Sequence, residues 1–396
     1  MNHIPGDVTV QIFSGGFPGE LIPFEAVRQK LNAVLPRLPV SKVIMGWSPD
    51  KSLYEKTASF LAERDIGFFL WFPVFSETGA LKKLAALTDY QGQEIISNGE
   101  HVDEDFAFCC PNNGHNIEKI LDIFNQNFAS IPFTGVFLDK IRYPSFANGE
   151  GVGQGLRSVF SCFCPECLKF YEKENFDIDR FKTALAKPVS LPLGINAYHG
   201  SGTYTFDDPI IDDFFKHKAG ILFKSLSYIC QFFRGKGLGI GFDVFAPFVS
   251  PFVGQSLKDL SSLCDFIKPM MYRAANAPAG MPFEAEVMLR ETGTEPLHRQ
   301  NFYKLLGVHP DKKPFDLTFS VKEIKDLCAS SACPVYAGME INRKKDIAEI
   351  YPDYIEETIK AYSDTGIQGY ALSWNLLDAP EENIAKAAEL IHPKTL

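Results

Sequence analysis

Eight short apolar runs recur along the chain, and longer segments with helical periodicity lie between them. The runs span residues 8–13, 42–47, 66–72, 134–139, 238–245, 265–272, 335–340 and 368–374. Most are continuously hydrophobic rather than alternating, which is typical of parallel strands that are buried on both faces. Apolar residues repeat with helical spacing in segments such as 24–35, 50–64, 117–128, 212–233, 321–330 and 354–365.

This alternation of strands and helices predicts a (β/α)8 barrel, or TIM barrel, in which all eight strands are parallel. A doubly wound open sheet is the alternative fold, and it commonly carries a glycine-rich first turn such as GxGxxG. The segment after the first run reads SGGFPGE, residues 14–20, and does not fit that turn. The pattern therefore favours the barrel.

Two connections are too long to be simple loops. Residues 76–113 follow the third run, and residues 144–209 follow the fourth and contain a cluster of cysteines. Connections of this length are usually functional or form a small subdomain. Because no repeat, low-complexity tract or linker divides the chain, we expect residues 1–396 to form one barrel domain, with 144–209 as an insertion subdomain inside it.

Acidic residues lie at the ends of three predicted strands. They are Asp139, Asp243 and Glu340. The carboxyl ends of barrel strands meet at one face, where the active sites of this fold are built. Each acid there could act as a nucleophile, a general acid or base, or a metal ligand. The alternative is a structural carboxylate, paired with Lys140 or Arg142 in the case of Asp139 and hydrogen-bonded at a strand end in the other two.

Aromatic side chains at the predicted strand ends indicate a sugar as the ligand, since flat rings with polar edges can stack on a pyranose. These aromatic residues are Trp47, Trp71, Tyr272 and Trp374. Further residues that could bind sugar hydroxyls or wall the cleft are Asn112, Arg142, Tyr143, Arg273 and Asn375. Two alternatives stay open: the tryptophans could plug the barrel core, and Asn112 equally fits a turn that caps the next helix.

A compact C-x-C-x2-C motif lies in the long insertion. Its members are Cys162, Cys164 and Cys167. Three thiolates at this spacing can bind Zn²⁺, and a fourth ligand from Cys110 or Cys109 would close a structural site that pins the insertion. His115 and His199 stay open as alternative fourth ligands. The other interpretation is a set of reduced cysteines that only pack the insertion.

Composition and charge exclude some classes of function. The 396-residue chain has a net charge of -10, which argues against a nucleic-acid binder because that class needs a basic face. No run of 18 or more apolar residues predicts a membrane span. The amino-terminal sequence lacks the signal-peptide pattern, and the nine cysteines form no framework of spaced pairs, so we expect a reducing, cytoplasmic location. No feature indicates an oligomeric state.

Several segments together resemble a group of (β/α)8 barrel proteins described as glycoside hydrolase-like. They are GVFLDKIRYPS, CPNN, CFCPECLKFY, GFDVFAPFVSPFVGQSLKDLSSLCDFIKPMMYR and GYALSWNLLD, and the likeness extends from about residue 105 to residue 378. In that group, a fourth strand ending in Asp and followed by Arg-Tyr-Pro resembles residues 135–144, the cysteine insertion resembles 162–167, and a sixth strand with Pro-Met-x-Tyr resembles 269–272. The resemblance implies the barrel and carbohydrate chemistry. It departs from the best-known retaining barrels, where Glu commonly ends the fourth strand and Asp139 stands here.

These observations predict a glycosidase, an O-glycosyl hydrolase of carbohydrate metabolism that cleaves a small oligosaccharide or glycoside. Asp139 would be the nucleophile or base, and Asp243 or Glu340 the general acid. Catalysis would need no cofactor. The alternatives are a metal-dependent sugar isomerase or lyase on the same fold and a carbohydrate-binding barrel without catalysis.

Overall fold

Eight parallel strands close into a barrel in the computed structural model, which describes residues 6–13, 21–76, 84–95, 107–149, 155–187, 192–292, 296–312 and 314–391. The barrel strands are β1 (Asp7–Ile12), β2 (Val40–Met45), β3 (Gly67–Pro73), β4 (Gly135–Asp139), β5 (Gly239–Phe245), β6 (Phe266–Met270), β7 (Tyr336–Glu340) and β8 (Gly369–Ser373). Each strand pairs with the next, and β8 pairs with β1. The predicted (β/α)8 barrel is confirmed, with every strand end within two residues of its predicted position.

Helices surround the barrel and also build two of its connections. They are α1 (Phe24–Val34), α2 (Lys51–Ala62), α3 (Gly114–Asn127), α4 (Gly155–Val159), α5 (Pro165–Lys173), α6 (Ile178–Leu185), α7 (Pro209–Gly235), α8 (Leu257–Leu260), α9 (Met281–Glu291), α10 (Pro296–Leu306), α11 (Leu317–Ser330), α12 (Pro352–Tyr362) and α13 (Glu381–Ile391). The helices that follow β1 to β8 in turn are α1, α2, α3, α7, α8, α11, α12 and α13. Two short hairpins, Ile195–Tyr198 with Tyr204–Phe206 and Arg343–Lys344 with Ala348–Glu349, complete the fold. No helix in the described ranges is long and apolar enough to cross a membrane.

Polar side chains fix where several helices begin. Asp50, Asn113 and Asp208 precede α2, α3 and α7, and each accepts a hydrogen bond from a backbone N–H of the first turn. Pro209 then occupies the first position of α7, where its missing N–H costs nothing. The CPNN turn therefore caps α3 through Asn113.

The barrel interior has an apolar middle layer. Its side chains are Ile44, Phe69, Phe137, Phe266, Tyr336 and Ala371. Two strand glycines make room for these rings: a Cβ on Gly135 would lie 2.3 Å from the ring of Phe69, and one on Gly241 would lie 2.2 Å from the ring of Phe266. Because side chains alternate along a strand, the next inward positions lie above this layer, at the carboxyl ends of the strands.

The insertion between β4 and α7 packs through aromatic rings. Phe163 and Phe181 stack on Phe214 of α7 with ring centroids 5.8 and 4.5 Å apart. Phe160 contacts Phe214 and the neighbouring Phe215 at 5.8 Å. The 27-residue α7 is thus both a barrel helix and the wall on which the insertion rests.

Candidate active site

A cavity of about 560 Å³ opens at the carboxyl ends of the barrel strands. Side chains from β1, β3, β4, β5 and β6 and from the loops after β1, β4, β6, β7 and β8 line it. Seven of the twelve residues proposed from the sequence as catalytic or substrate-binding line this cavity: Trp71, Asp139, Arg142, Asp243, Tyr272, Trp374 and Asn375.

Strand register brings the charged residues of the cavity floor together. On β4 and β5, Leu138 pairs with Phe242, so the residues that follow them, Asp139 and Asp243, lie at the same level on adjacent strands. Asp243 in turn pairs with Lys268 of β6. All three belong to the layer directly above the apolar one, and all three line the cavity.

Two N–H donors hold the carboxylate of Asp139. Its Oδ2 accepts a hydrogen bond from Nε1 of Trp71 at 3.0 Å, and its Oδ1 accepts one from the backbone N–H of Lys140 at 2.5 Å. The Trp71 ring is itself held edge-on against Phe13, with centroids 5.5 Å apart. Lys140 has a φ of 52°, in the left-handed region, so the chain turns sharply as it leaves the strand. The position and orientation of this carboxylate are therefore fixed.

Asp243 belongs to a buried polar network. Its Oδ2 lies 3.0 Å from Nζ of Lys268, and the two side chains are only 5% and 1% exposed. Lys268 also donates to the hydroxyl of Tyr272 at 2.7 Å and to Oε1 of Gln11 at 3.4 Å, and the same Gln11 oxygen accepts from Ser373 at 2.6 Å. The second carboxyl oxygen of Asp243, Oδ1, has no hydrogen-bond partner among the described residues. That oxygen is buried, although Asp243 as a residue lines the cavity.

Burial sets the electrostatics of this network. It raises the pKa of Asp243 to about 7; Lys268 opposes the rise and the nearby charge of Asp139 adds to it. Burial also lowers the pKa of Lys268, but attraction to Asp243 and Tyr272 outweighs this and the net shift is upward. Near neutral pH, Asp243 can thus both give and take a proton, while Lys268 keeps its charge.

The rim of the cavity is held by amide side chains. The ring of Trp374 meets Tyr272 edge-on at 5.4 Å. Oδ1 of Asn342 accepts the backbone N–H groups of Trp374 and Asn375 at 2.7 and 3.0 Å. Oδ1 of Asn375 accepts the backbone N–H of Phe13 at 3.1 Å. The loops after β1, β7 and β8 are therefore joined around the opening.

Glu340, the third predicted acid, does not line this cavity. Its Oε1 accepts the backbone N–H groups of Ala274 and Ala275 at 2.9 and 3.0 Å, and its Oε2 accepts the hydroxyl of Tyr354. Burial raises its pKa, and the hydrogen bonds oppose the rise. The carboxylate therefore joins the loop after β6 to α12.

Two of the predicted aromatic residues also lie outside the cavity. Trp47 lies two residues beyond the end of β2 and packs in the core against the rings of Phe72 and Phe128 at 5.4 and 5.2 Å. Tyr143 is buried, and its ring lies 4.4 Å below Nζ of Lys218. Trp47 and Tyr143 are therefore both buried away from the cavity, and Trp47 is not part of the apolar layer inside the barrel.

The remaining two predicted binding residues contact other parts of the protein. Arg273 is buried, donates to Thr358 at 2.9 Å and stacks over the ring of Tyr354. Asn112 donates to the backbone carbonyl of Glu166 at 3.0 Å, next to the cysteine cluster. The structure therefore brings neither to the cavity.

Several polar residues that line the cavity were absent from the sequence-based set: Gln11, Lys140, Lys268, Asn342, Arg343, Lys344 and Asp378. Lys268 is the only charged residue of β6, and Gln11 is an inward-facing polar residue of β1. A single charged residue inside a buried strand is a signal that could have identified Lys268, whereas Gln11 shares β1 with two other polar residues, Asp7 and Thr9. Asn342 lies in a loop, and no local pattern predicts its role.

The predicted cysteine ligands lie together, away from the cavity. The Sγ atoms of Cys110, Cys162, Cys164 and Cys167 all lie within 4.8 Å of one another. Cys109, His115 and His199 are not part of this group.

The fold is similar to solved structures of glycoside hydrolases. It matches the glycoside hydrolase domain of PgaB (BpsB) from Bordetella bronchiseptica with a TM-score of 0.59 at 12% identity, over 98% of this chain and 99% of that one. It also matches the spore cortex-lytic enzyme SleL from Bacillus megaterium (TM-score 0.46, 8% identity, 97% and 74% coverage) and a class V chitinase from Pseudomonas fluorescens (0.47, 7%, 96% and 98%). No family model and no curated protein matches the sequence. The likeness to glycoside hydrolase-type barrels that the sequence motifs indicated is confirmed for the fold.

Proposed function

We propose that this protein is a glycoside hydrolase that cleaves an O-glycosidic bond at the barrel cavity, with Asp139 and Asp243 as its two carboxyl groups. The proposal rests on the difference between the environments of these two carboxyl groups. Both oxygens of Asp139 accept N–H donors, whereas Asp243 has a pKa of about 7 and one oxygen without a partner among the described residues. Glycoside hydrolysis needs two carboxyl groups with such different environments.

The two acids take different roles in this mechanism. Asp243 in its protonated form donates to the glycosidic oxygen as the leaving group departs. Asp139, as a fixed carboxylate, either attacks the anomeric carbon or activates a water molecule that does so. Lys268 stays charged beside Asp243 and stabilises the carboxylate that remains after the proton has left.

The cavity supports a small sugar substrate. Its volume of about 560 Å³ lies within the range of about 300–1,000 Å³ that is common for small-ligand sites. Trp71 and Trp374 offer aromatic surface at its wall and rim, and Arg142 and Asn375 offer polar groups for hydroxyls. We therefore assign the substrate to small oligosaccharides or glycosides.

A metal-dependent isomerase or lyase is less well supported, on the chemistry of the donors. The ammonium group of Lys268 already occupies the position beside Asp243 where a cation would bind, and both oxygens of Asp139 accept N–H groups. Among the described residues, the cysteines form the only group of three or more ligating side chains close enough to hold a metal ion.

The test is turnover of a panel of aryl glycosides by the wild type, Asp139→Asn and Asp243→Asn. Asp265→Asn is the matched control, because Asp265 precedes β6 at the opposite face and pairs with Arg234. We expect kcat/KM to fall above about pH 7, where Asp243 loses its proton. Asp243→Asn should remove this alkaline limb and lower the rate by about 10²–10⁴-fold for poor leaving groups.

The outcomes separate the candidate functions. Unchanged turnover in folded Asp139→Asn and Asp243→Asn proteins would refute the site assignment. Binding of a sugar without turnover of any member of the panel would favour a carbohydrate-binding barrel. Activity that is lost with a chelator and restored by Mg²⁺ or Mn²⁺ would favour the isomerase or lyase.

A further inference from the structure

A cluster of four buried cysteines lies between the insertion and the loop that precedes α3. Three of them, Cys162, Cys164 and Cys167, lie at the start of α5, and Cys110 comes from the loop after β3. We propose that these four thiolates bind one Zn²⁺ in a closed structural site that fastens the insertion to the barrel. This inference does not rest on the glycosidase proposal.

The sulfur positions have the dimensions of a tetrathiolate site. Sγ of Cys110 lies 3.5 Å from Sγ of both Cys164 and Cys167. Zn–S bonds are about 2.3 Å, so the sulfurs of a regular tetrahedral site lie about 3.8 Å apart. A disulfide would require about 2.05 Å. The four sulfurs are therefore spaced as metal ligands rather than as disulfides.

Backbone groups around the cluster are arranged to stabilise a thiolate. Sγ of Cys162 accepts the backbone N–H groups of Thr88 at 3.3 Å and of Cys164 at 3.4 Å. Such outer hydrogen bonds orient metal ligands and tune their charge. All four cysteines are buried, which would be unfavourable for free thiolates without a cation.

A buried lysine near the cluster could balance the charge of such a site. Zn²⁺ with four thiolates has a net charge of about -2. Lys218 of α7 is fully buried, donates to the carbonyls of Val159 and Phe252, and has no carboxylate partner among the described residues. Burial lowers the pKa of Lys218 well below its usual value, and the nearby Cys162 and Cys167 oppose that shift. An anionic zinc centre would favour the charged form of this lysine, whereas beside four neutral thiols burial would favour the uncharged amine.

The site would also support the wall of the cavity. Phe108 lies two residues before Cys110, and its ring packs 4.6 Å from the guanidinium of Arg142, which lines the cavity. Ser225 of α7 donates to the carbonyl of Pro111 at 2.8 Å on the other side of the same loop. Because four protein ligands leave no open position for a substrate, the role of the metal is structural.

The test is the metal content of the full chain, expressed in zinc-supplemented medium and measured by mass spectrometry of the metal. We expect one zinc per chain in the wild type and in Cys230→Ser, a control at a buried cysteine outside the group. Cys164→Ser should lose its zinc to a chelator that leaves the wild type loaded. Cobalt exchanged into the wild type should give the intense visible bands of tetrahedral cobalt thiolates.

Measurements on the wild type keep the proposal testable even if Cys164→Ser fails to fold. Chelation under mild denaturation should release zinc, expose four additional reactive thiols and lower the melting temperature of the wild type and of Cys230→Ser alike. Wild-type protein without stoichiometric zinc, stoichiometric iron in its place, or a Cys164→Ser protein that retains zinc as tightly as the wild type would overturn the assignment.

Discussion

Replacing Lys268 by methionine should destabilise the protein by an amount that grows with pH. The substitution keeps most of the side-chain volume but removes the cation that lies 3.0 Å from Asp243 and 2.7 Å from the hydroxyl of Tyr272. Removing one partner of a buried ion pair costs about 3–5 kcal/mol when the other stays charged. Asp243 can avoid most of this cost by binding a proton, because its pKa is already about 7.

The direction of this pH dependence follows from the protonation of Asp243. Its pKa is about 7 in the folded protein and about 3.9 when unfolded, so its contribution to stability is present at low pH and declines as pH rises between these values. Above pH 7 this contribution to the stability of the wild type declines no further, because Asp243 is ionised in both the folded and the unfolded state. Without Lys268, the pKa of Asp243 in the folded protein lies higher, so the free energy of unfolding continues to decline above pH 7.

The cost of Lys268→Met in stability at low and at high pH can be calculated from the pKa of Asp243 in the wild type. At about pH 5.5 the carboxyl is protonated in both proteins, and Lys268→Met costs about 1–3 kcal/mol through lost hydrogen bonds. At about pH 8.5 the variant must hold a proton that the wild type has released. Each pH unit above 7 adds about 1.4 kcal/mol, so the penalty should be larger by about 2 kcal/mol.

Urea denaturation of both proteins at the two pH values measures this difference, since other titrating groups contribute equally and cancel. The control is Lys42→Met at the opposite end of the barrel, where Lys42 pairs with the partly exposed Asp7 at 3.4 Å. Its loss of stability should be small and should not grow with pH. A Lys268→Met penalty that is equal at both pH values, or smaller at the higher one, would refute the assignment of this pKa to Asp243.

Two further substitutions separate positioning from structure. Trp71→Phe keeps an aromatic ring but removes the donor to Asp139, so kcat should fall by more than 10-fold while the free energy of unfolding changes by only about 1 kcal/mol; equal kcat in the two proteins would count against this role. Glu340→Gln should lower the free energy of unfolding by about 1–3 kcal/mol, measured by denaturant titration, and leave turnover per folded molecule unchanged. A stable Glu340→Gln protein without turnover would instead restore Glu340 to the catalytic set.

The barrel could be predicted because its strands are buried on both faces. A strand such as β4, with Val136, Phe137 and Leu138 in succession, must contact the interior on one side and helices on the other. That requirement produces continuous apolar runs, which are visible without any long-range information. The long α7 was predicted for a similar reason, since its buried positions repeat with helical spacing.

The candidate site was only partly predictable, because a strand end does not specify what covers it. Asp139 and Glu340 both end a strand after an apolar run. Asp139 lines the cavity, whereas the loop after β6 brings the N–H groups of Ala274 and Ala275 onto Glu340 from 66 and 65 residues away. No local pattern encodes that contact. Trp47 also lies outside the cavity, and here the observed strand is shorter than predicted: β2 ends at Met45, two residues before the predicted end.

Buried cations offer a rule that would have distinguished the acids better. An ammonium group inside a protein needs a compensating anion, so an isolated lysine in an apolar strand or helix face indicates an anionic group nearby. Lys268 in β6 faces the neighbouring β5, whose only acid is Asp243, and this argument places Asp243 beside a buried cation. Lys218 in α7 has no such acid among the described residues, and its contacts are the carbonyls of Val159 and Phe252 and the ring of Tyr143. The charge argument therefore leads to the carboxylate of the proposed active site, and an anionic zinc centre near Lys218 would satisfy the same requirement in the insertion.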